Sequence, residues 1–339
     1  MVVFRVDGNS TLGMGHLMRC LCIAMELERK GVKCLFVVSN NTDINLIHDN
    51  NIEAISMGNG EEICGDTFFS IISRYNKISY IIIDSYKVQK KDFLNAKKIA
   101  KVCYIDDLNI FEYDIDMVIN YNVEAQSIMY TEAVGCKLLG VDYFPLREDI
   151  KKYKKKQLKN NVTDVLITTG STDPYELCGK ILHILQMYSY IHFTILIGKY
   201  FSEEYIRKLE QLRDNNNNIN LISWGCDVGK LYMESDVIVA PGGTMLYEAL
   251  SVGCTCLSFW FVDNQENECE CLKQYGLAPS IGDIRKESAE IDDRIKEEFA
   301  SIILMENRER FFTNSNKTFD GNGAKRIAEK IITCGSILV

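Results

Sequence analysis

A chain of 339 residues with 38 basic and 47 acidic side chains carries a net charge of −9. Its length is ample for two domains with a core each, its charged and apolar fractions are those of an ordinary globular protein, and its acidic balance speaks against duplex nucleic acid as a partner. No apolar run reaches the length of a bilayer span and the N-terminus enters a strand directly, so a cytoplasmic protein without stable membrane insertion is expected. The 13 cysteines are scattered through apolar segments without a Cys-x-x-Cys pair, which reads as reduced core thiols rather than metal ligands.

Strand-like and helical runs alternate almost from end to end. The expected strands of the first half are residues 2–6, 32–38, 78–83, 102–105, 117–120 and 137–139, with amphipathic helices such as 17–30 and 90–100 between them. A lysine-rich, apolar-poor stretch at 149–161 reads as a solvated linker or surface helix. The second half resumes with strands 164–168, 192–197, 220–222, 236–240 and 255–259 and helices 175–188, 202–214, 244–252 and 266–275. Short apolar strands separated by helical crossovers predict parallel sheets covered on both faces. The expected fold is therefore α/β, with two doubly wound Rossmann-like domains, 1–150 and 151–339, facing a cleft. The last helices, 308–316 and 323–333, have the option of packing back on the first domain.

Gly13-Met14-Gly15-His16 stands where the first strand gives way to the first helix, the edge at which open parallel sheets present ligands. Gly13 and Gly15 lack a Cβ and permit close approach. His16 falls in the first helical turn, where the positive end of the macrodipole disfavours imidazolium. A neutral imidazole at such an edge suits a general base, although the same residues also read as a plain strand–helix connection. A third glycine is missing, Met18 holding its place, and no acidic residue follows the second strand at Val37-Val38-Ser39-Asn40, so a nicotinamide site is not supported.

Asp84-Ser85-Tyr86 ends the next strand on the same edge. Tyr86 reads either as a contact for a sugar or an attacking water, or as a half-buried core tyrosine. Asp106-Asp107 ends the strand after that; the pair suggests a divalent metal, but no supporting ligands accompany it, and one carboxylate is expected to cap the following turn. His183 and His192 read as packing residues, and His48 lies at a polar helix end.

In the second half, Gly170, Ser171 and Thr172 offer amides and hydroxyls to phosphate oxygens, and Asp173-Pro174 reads as a helix start, with capping alone as the plain alternative. Gly242-Gly243-Thr244 opens a helix whose free amides and positive dipole end suit a diphosphate. Glu248, one turn on, is placed to accept from ribose hydroxyls; the plain reading is a glycine turn with a surface glutamate. Asp263-Asn264-Gln265 suits recognition of sugar hydroxyls or acetamido groups, or else Asp263 caps the next helix.

Taken in order, these segments resemble the UDP-2,4-diacetamido-2,4,6-trideoxy-β-L-altropyranose hydrolase family of pseudaminic-acid biosynthesis and its spore-coat polysaccharide relatives. The resemblance is carried by Arg5-Val6-Asp7 with Gly13 through Arg19, Ile83-Asp84-Ser85-Tyr86, Tyr104-Ile105-Asp106-Asp107-Leu108, Asn120-Tyr121-Asn122, Tyr143-Phe144-Pro145-Leu146-Arg147, Gly170 through Pro174, Gly242-Gly243-Thr244 through Glu248, and Asp263-Asn264-Gln265. It spans nearly the whole chain; only residues after about Ser280 are nondescript. It implies a two-domain, GT-B-like glycosyltransferase frame in which the C-terminal domain holds UDP and the N-terminal domain supplies the base.

On that basis His16, Tyr86 and Asn264 are the catalytic candidates. Gly13, Gly15, Arg19, Gly170, Ser171, Thr172, Asp173, Val228, Gly242, Gly243, Thr244, Glu248, Asp263 and Gln265 are the substrate-binding ones. The resemblance further implies a hydrolysis without metal or other cofactor, in which His16 activates a water that displaces UDP from the anomeric carbon with inversion. An inverting glycosyltransferase on the same frame is the alternative, and a catalytically silent nucleotide-sugar binder a third reading. Two departures from the family pattern, Thr169 in place of a glycine and Tyr247 near the place of a tryptophan, bear on the fit around phosphate or nucleoside.

Overall fold

The computed structural model describes residues 1–8, 14–58, 63–110, 112–286 and 288–337. Chain contacts divide them into one unit of Met1–Leu146 with Gly321–Val339 and a second of Arg147–Asp320.

The first unit is built from β1 (Val2–Val6), α1 (Gly15–Arg29), β2 (Cys34–Ser39), α2 (Ile44–His48), β3 (Glu53–Met57), α3 (Asp66–Ile72), β4 (Tyr80–Asp84), α4 (Lys90–Lys97), β5 (Lys101–Ile105), β6 (Ile115–Asn120) and β7 (Val134–Leu139). Its seven strands run parallel in the order β3-β2-β1-β4-β5-β6-β7. Every residue of β1 and β4 is buried, as expected of central strands covered by helices on both faces. The strand order reverses between β1 and β4, which open the crevice beyond their carboxyl ends where doubly wound sheets bind ligands. Both His16 and Asp84 lie at that point.

The second unit follows the same plan, with α5 (Glu148–Lys151), β8 (Asp164–Ile167), α6 (Leu177–Leu185), β9 (His192–Ile197), α7 (Glu203–Asp214), β10 (Ile219–Ser223), α8 (Val228–Glu234), β11 (Val237–Pro241), α9 (Thr244–Val252), β12 (Thr255–Trp260), α10 (Glu266–Gln274), β13 (Ser280–Asp283), α11 (Ala289–Ile302) and α12 (Met305–Thr318). Its sheet is parallel in the order β10-β9-β8-β11-β12-β13, so its reversal falls between β8 and β11. The loops that carry Gly170 and Gly242 leave those two strands.

The last helix, α13 (Gly323–Gly335), belongs to the first unit and packs on α1. A Cβ on Gly323 would lie 2.1 Å from the Phe144 carbonyl oxygen, and Arg326 Nη1 donates to the Asp142 carbonyl at 3.0 Å. The division thus differs from residues 1–150 and 151–339: it falls at 146/147, and residues 321–339 return to the first unit, whereas α12 stays with the second.

Other departures have local causes. The sequence pattern passes over β3 and β13, which are edge strands. β3 is only partly buried, and β13 (Ser-Ile-Gly-Asp) pairs through an irregular register, so neither carries the apolar run of a central strand. The lysine-rich stretch is not a loosely solvated linker. Lys155 is buried with its Nζ on the Ser235 carbonyl, and Lys154 Nζ donates to the carbonyls of Ser251 at 2.8 Å and Phe319 at 3.3 Å. Those carbonyls lie at or beside the C-terminal ends of α8, α9 and α12, where unpaired oxygens and the negative dipole end attract cations.

Candidate functional site

At the first unit's crevice, α1 starts at Gly15 with Met14 as its cap, and no side chain caps it. Gly13 lies outside the described residues. Among the described residues no acceptor stands on the amides of Gly15 and His16. His16 is 8% exposed and points its ring at the end of β4, where Nδ1 lies 2.6 Å from Asp84 Oδ1. Arg19, one turn further along α1, is 4% exposed and spans two carboxylates. Its Nε and Nη2 donate to Asp84 Oδ2 and Oδ1, both at 2.6 Å, and its Nη1 and Nη2 donate to Asp107 Oδ1 and Oδ2 at 2.8 and 2.9 Å. Nη1 also donates to the Tyr121 hydroxyl at 2.8 Å, and Nη2 stands 3.1 Å from His16 Nδ1. Tyr86 donates its hydroxyl to Asp107 Oδ2 at 2.8 Å, and its ring meets the His16 ring edge-on with centroids 4.5 Å apart.

Electrostatics assign the protons in this cluster. Burial by itself would raise the Asp84 pKa, but the charge and hydrogen bonds of Arg19, with the hydrogen bond from His16, outweigh it and hold Asp84 well below the usual carboxylate range. An ionised Asp84 only accepts, so the proton between it and His16 belongs to Nδ1 and the lone pair to Nε2. No described residue bonds Nε2. Burial and Asp107 push the Tyr86 hydroxyl up, so it stays a neutral donor. Burial, partly offset by Arg19, does the same for Tyr121. Asp106 serves its own turn, accepting from the amides of Leu108 and Asn109 and from the Tyr130 hydroxyl.

Of the first-half candidates, the structure therefore brings His16, Tyr86 and Arg19 together. Arg19 is fully engaged by protein groups. Asp84, Asp107 and Tyr121 were not singled out as site residues in the sequence. The available signal was that each ends or follows a strand at this same sheet edge.

In the second unit, the loops after β8 and β11 meet: a Cβ on Gly170 would stand 3.8 Å from Met245 Sδ in the first turn of α9. The loop after β8 is pinned from below by Gly198, where a Cβ would lie 2.3 Å from the Gly170 carbonyl oxygen and 2.6 Å from that of Ser171. The Tyr200 amide donates to the same Ser171 carbonyl at 2.9 Å. Asp173 turns inward, accepting from the amides of Leu177 and Cys178 at 2.8 and 2.9 Å and from the Tyr205 hydroxyl at 3.0 Å; burial raises its pKa despite those donors. It caps α6, which starts at Leu177 rather than at Pro174 because Glu176 takes a left-handed backbone first.

The glycine pair before α9 does not expose free amides, contrary to the sequence expectation. The Gly242 amide continues the sheet ladder to the Phe259 carbonyl at 2.9 Å, and the Gly243 amide donates to Glu268 Oε1 at 2.8 Å. A carboxylate at the positive end of a helix is where the dipole favours it. The first-turn amides left without a described acceptor are those of Thr244 and Met245.

Glu248 is not a surface residue. It is 3% exposed, with Oε1 3.1 Å from Arg147 Nε and Oε2 3.5 Å from the Tyr232 hydroxyl. Burial pushes its pKa up to about 7, with Arg147 pulling against it. Val228 is the first residue of α8, behind an Asp227 cap. In the Asp263-Asn264-Gln265 turn, Asp263 Oδ1 accepts from Arg285 Nη1 at 2.7 Å and Gln265 Oε1 accepts from the Phe261 amide at 3.3 Å, while Asn264 is exposed.

No family model matches the chain. An uncharacterized protein of Methanocaldococcus jannaschii is 26% identical over 286 residues, 79% of this chain and 57% of that protein, so the chain spans little more than half of that relative. The UDP-2,4-diacetamido-2,4,6-trideoxy-β-L-altropyranose hydrolase of Campylobacter jejuni is 25% identical over 282 residues, 81% of this chain and 97% of that enzyme. The spore coat polysaccharide biosynthesis protein SpsG of Bacillus subtilis is 22% identical over 289 residues, 81% and 82% of the two chains.

Among solved structures, MurG of Acinetobacter baumannii superimposes with a TM-score of 0.68 at 14% identity over 98% of this chain and 99% of that one. The calicheamicin glycosyltransferase CalG4 gives 0.68 at 10% over 100% and 98%. The UDP-GlcNAc 2-epimerase of Neisseria meningitidis, solved with UDP-GlcNAc, gives 0.62 at 15% over 98% and 100%. The chain is thus similar over 81% of its length to the diacetamido UDP-sugar hydrolase, and it shares the two-domain α/β, GT-B-like fold of glycosyltransferases and sugar-nucleotide epimerases.

Proposed function

We propose that this protein is a nucleotide-sugar hydrolase that releases UDP from UDP-2,4-diacetamido-2,4,6-trideoxy-β-L-altropyranose, or a close diacetamido analogue, on the way to a surface nonulosonic acid. The observation that carries the reading is the 2.6 Å pairing of His16 Nδ1 with an ionised Asp84, which leaves the Nε2 lone pair to take a proton from water. As that proton moves to Nε2, the water oxygen bonds to the anomeric carbon and the bond from that carbon to the diphosphate oxygen breaks. The electron pair leaves on UDP and the configuration inverts.

The second unit serves the nucleotide. The amides of Thr244 and Met245 and the loop of Gly170, Ser171 and Thr172 suit the diphosphate. The Asp263-Asn264-Gln265 turn takes the acetamido groups, whereas Glu248, 3% exposed and held by Arg147, is not kept as a ribose contact. Similarity to the Campylobacter jejuni hydrolase over 81% of the chain supports the substrate class.

A second reading, an inverting glycosyltransferase, is favoured by the fold of MurG and CalG4 and differs only in placing an acceptor hydroxyl where water stands. The test is UDP release from the diacetamido UDP-sugar by the purified chain. Release without an acceptor, lowered roughly 10²–10⁴-fold in His16→Ala, is the expected result. Equal turnover by the variant removes His16 as the base, and release that depends strictly on an added sugar acceptor makes the protein a transferase.

A further inference from the structure

The cluster beneath His16 is one positive charge short. Two carboxylates, Asp84 and Asp107, share a single guanidinium, Arg19, through four contacts of 2.6 to 2.9 Å. Among the described residues, the other polar neighbours carry no charge. Burial keeps the hydroxyls of Tyr86 and Tyr121 and the Cys20 thiol, which lies 3.5 Å from Asp84 Oδ2, in their neutral forms. Asp84 is needed to orient the ring and Arg19 neutralises one carboxylate, so one negative charge is left over. Asp107 also grips both side chains that flank the imidazole: Arg19 through two oxygens, and Tyr86 through Oδ2.

We propose that Asp107 is a positioning residue of the catalytic base, supplying the surplus negative charge that His16 neutralises when it takes up a proton, and holding Arg19 and Tyr86 against the ring. The role deepens the reading of His16 as base. Asp107 touches no reacting atom. It acts through Arg19 and Tyr86, so that the imidazolium formed during water attack completes a neutral cluster of two anions and two cations. Without the second carboxylate, Arg19 alone balances Asp84, and the imidazolium stands as an excess positive charge in a buried site, where it is poorly solvated.

The test replaces the charge and keeps the shape. Asp107→Asn retains a carbonyl acceptor; Asp107→Ser, smaller and also uncharged, guards against a variant that fails to fold; Asp107→Glu restores the charge. The first readout is the proton NMR titration of the His16 ring, one of four histidines in the chain, its signal assigned by its loss in His16→Gln. Both uncharged variants are expected to lower the His16 titration midpoint by about one pH unit, and Asp107→Glu to return it toward that of the parent. The second readout is hydrolysis of the diacetamido UDP-sugar, where kcat in the uncharged variants falls about tenfold with KM nearly unchanged.

An unmoved midpoint in both uncharged variants overturns the assignment, as does Asp107→Glu behaving like Asp107→Asn. The two failures are distinguishable. A moved midpoint in a protein that hydrolyses no UDP-sugar sinks the hydrolase reading and leaves the charge coupling. An unmoved midpoint in an active enzyme does the reverse.

Discussion

Replacing Glu248 by glutamine should make the second unit's stability less dependent on pH, by an amount the structure fixes. Glu248 is buried on α9 beside Arg147 and Tyr232, and burial, only partly offset by Arg147, carries its pKa from 4.5 to about 7. A carboxyl whose folded-state pKa is raised binds more protons folded than unfolded. Its contribution is therefore intact below the unfolded value and is lost as pH rises through the folded one. The full difference is about 3 kcal/mol, of which about 2 kcal/mol falls between about pH 5.5 and 8.5.

Glu248→Gln also alters the packing and hydrogen bonding beside Arg147 and Tyr232, a contribution that does not vary over this range, because Arg147 stays charged and keeps Asp149 3.6 Å away. The informative quantity is consequently the change in the variant-minus-parent stability between the two pH values. Both tryptophans, Trp224 and Trp260, lie in the second unit, so urea unfolding followed by tryptophan emission reports that unit alone. The variant should gain about 2 kcal/mol on the parent in going from about pH 5.5 to 8.5. A difference that stays constant over that range would refute a protonated, buried Glu248 near neutrality.

Two further outcomes follow from close backbone approaches. In Gly198→Ala the new Cβ meets the Gly170 and Ser171 carbonyl oxygens at 2.3 and 2.6 Å, so the loop after β8 must move. A loss of about 1–3 kcal/mol in the same emission-monitored unfolding, together with weaker UDP binding by calorimetry, is expected, and parent-like values in both would remove that loop from the site. In Gly323→Ala the Cβ meets the Phe144 carbonyl at 2.1 Å where α13 docks, so faster hydrogen exchange over residues 321–337 and a lower Tm of the first unit by circular dichroism should appear, with the tryptophan-reported transition unmoved. Unchanged exchange there would mean that α13 does not depend on this approach.

Much of the architecture was legible in the chain because it rests on local signals. The central strands are short, mostly apolar and separated by helical crossovers, a pattern that a parallel sheet with two covered faces requires. The edge strands β3 and β13 were not legible, since an edge needs no such run. Nor was the role of Lys154 and Lys155: a lysine that meets helix-terminal carbonyls 80 to 165 residues away looks, in sequence, like a solvated one. Glu248 and the Gly243 amide misled for the same reason. A glutamate one turn into a helix and a glycine at its start carry no local mark of the arginine at 147 or the carboxylate at 268 that engage them.

The amino-acid sequence alone determined that this protein is a pair of doubly wound α/β halves and that His16 stands at the mouth of the first, because periodicity and glycine placement act over a turn or two of chain. Only the tertiary structure decided what that histidine is. Its partner Asp84 lies 68 residues on, and Arg19, which braces both, reaches Asp107 and Tyr121 at separations of 88 and 102. A proton's position depends on charges a few ångströms away in space, and strand order, which no single segment encodes, brings those charges together.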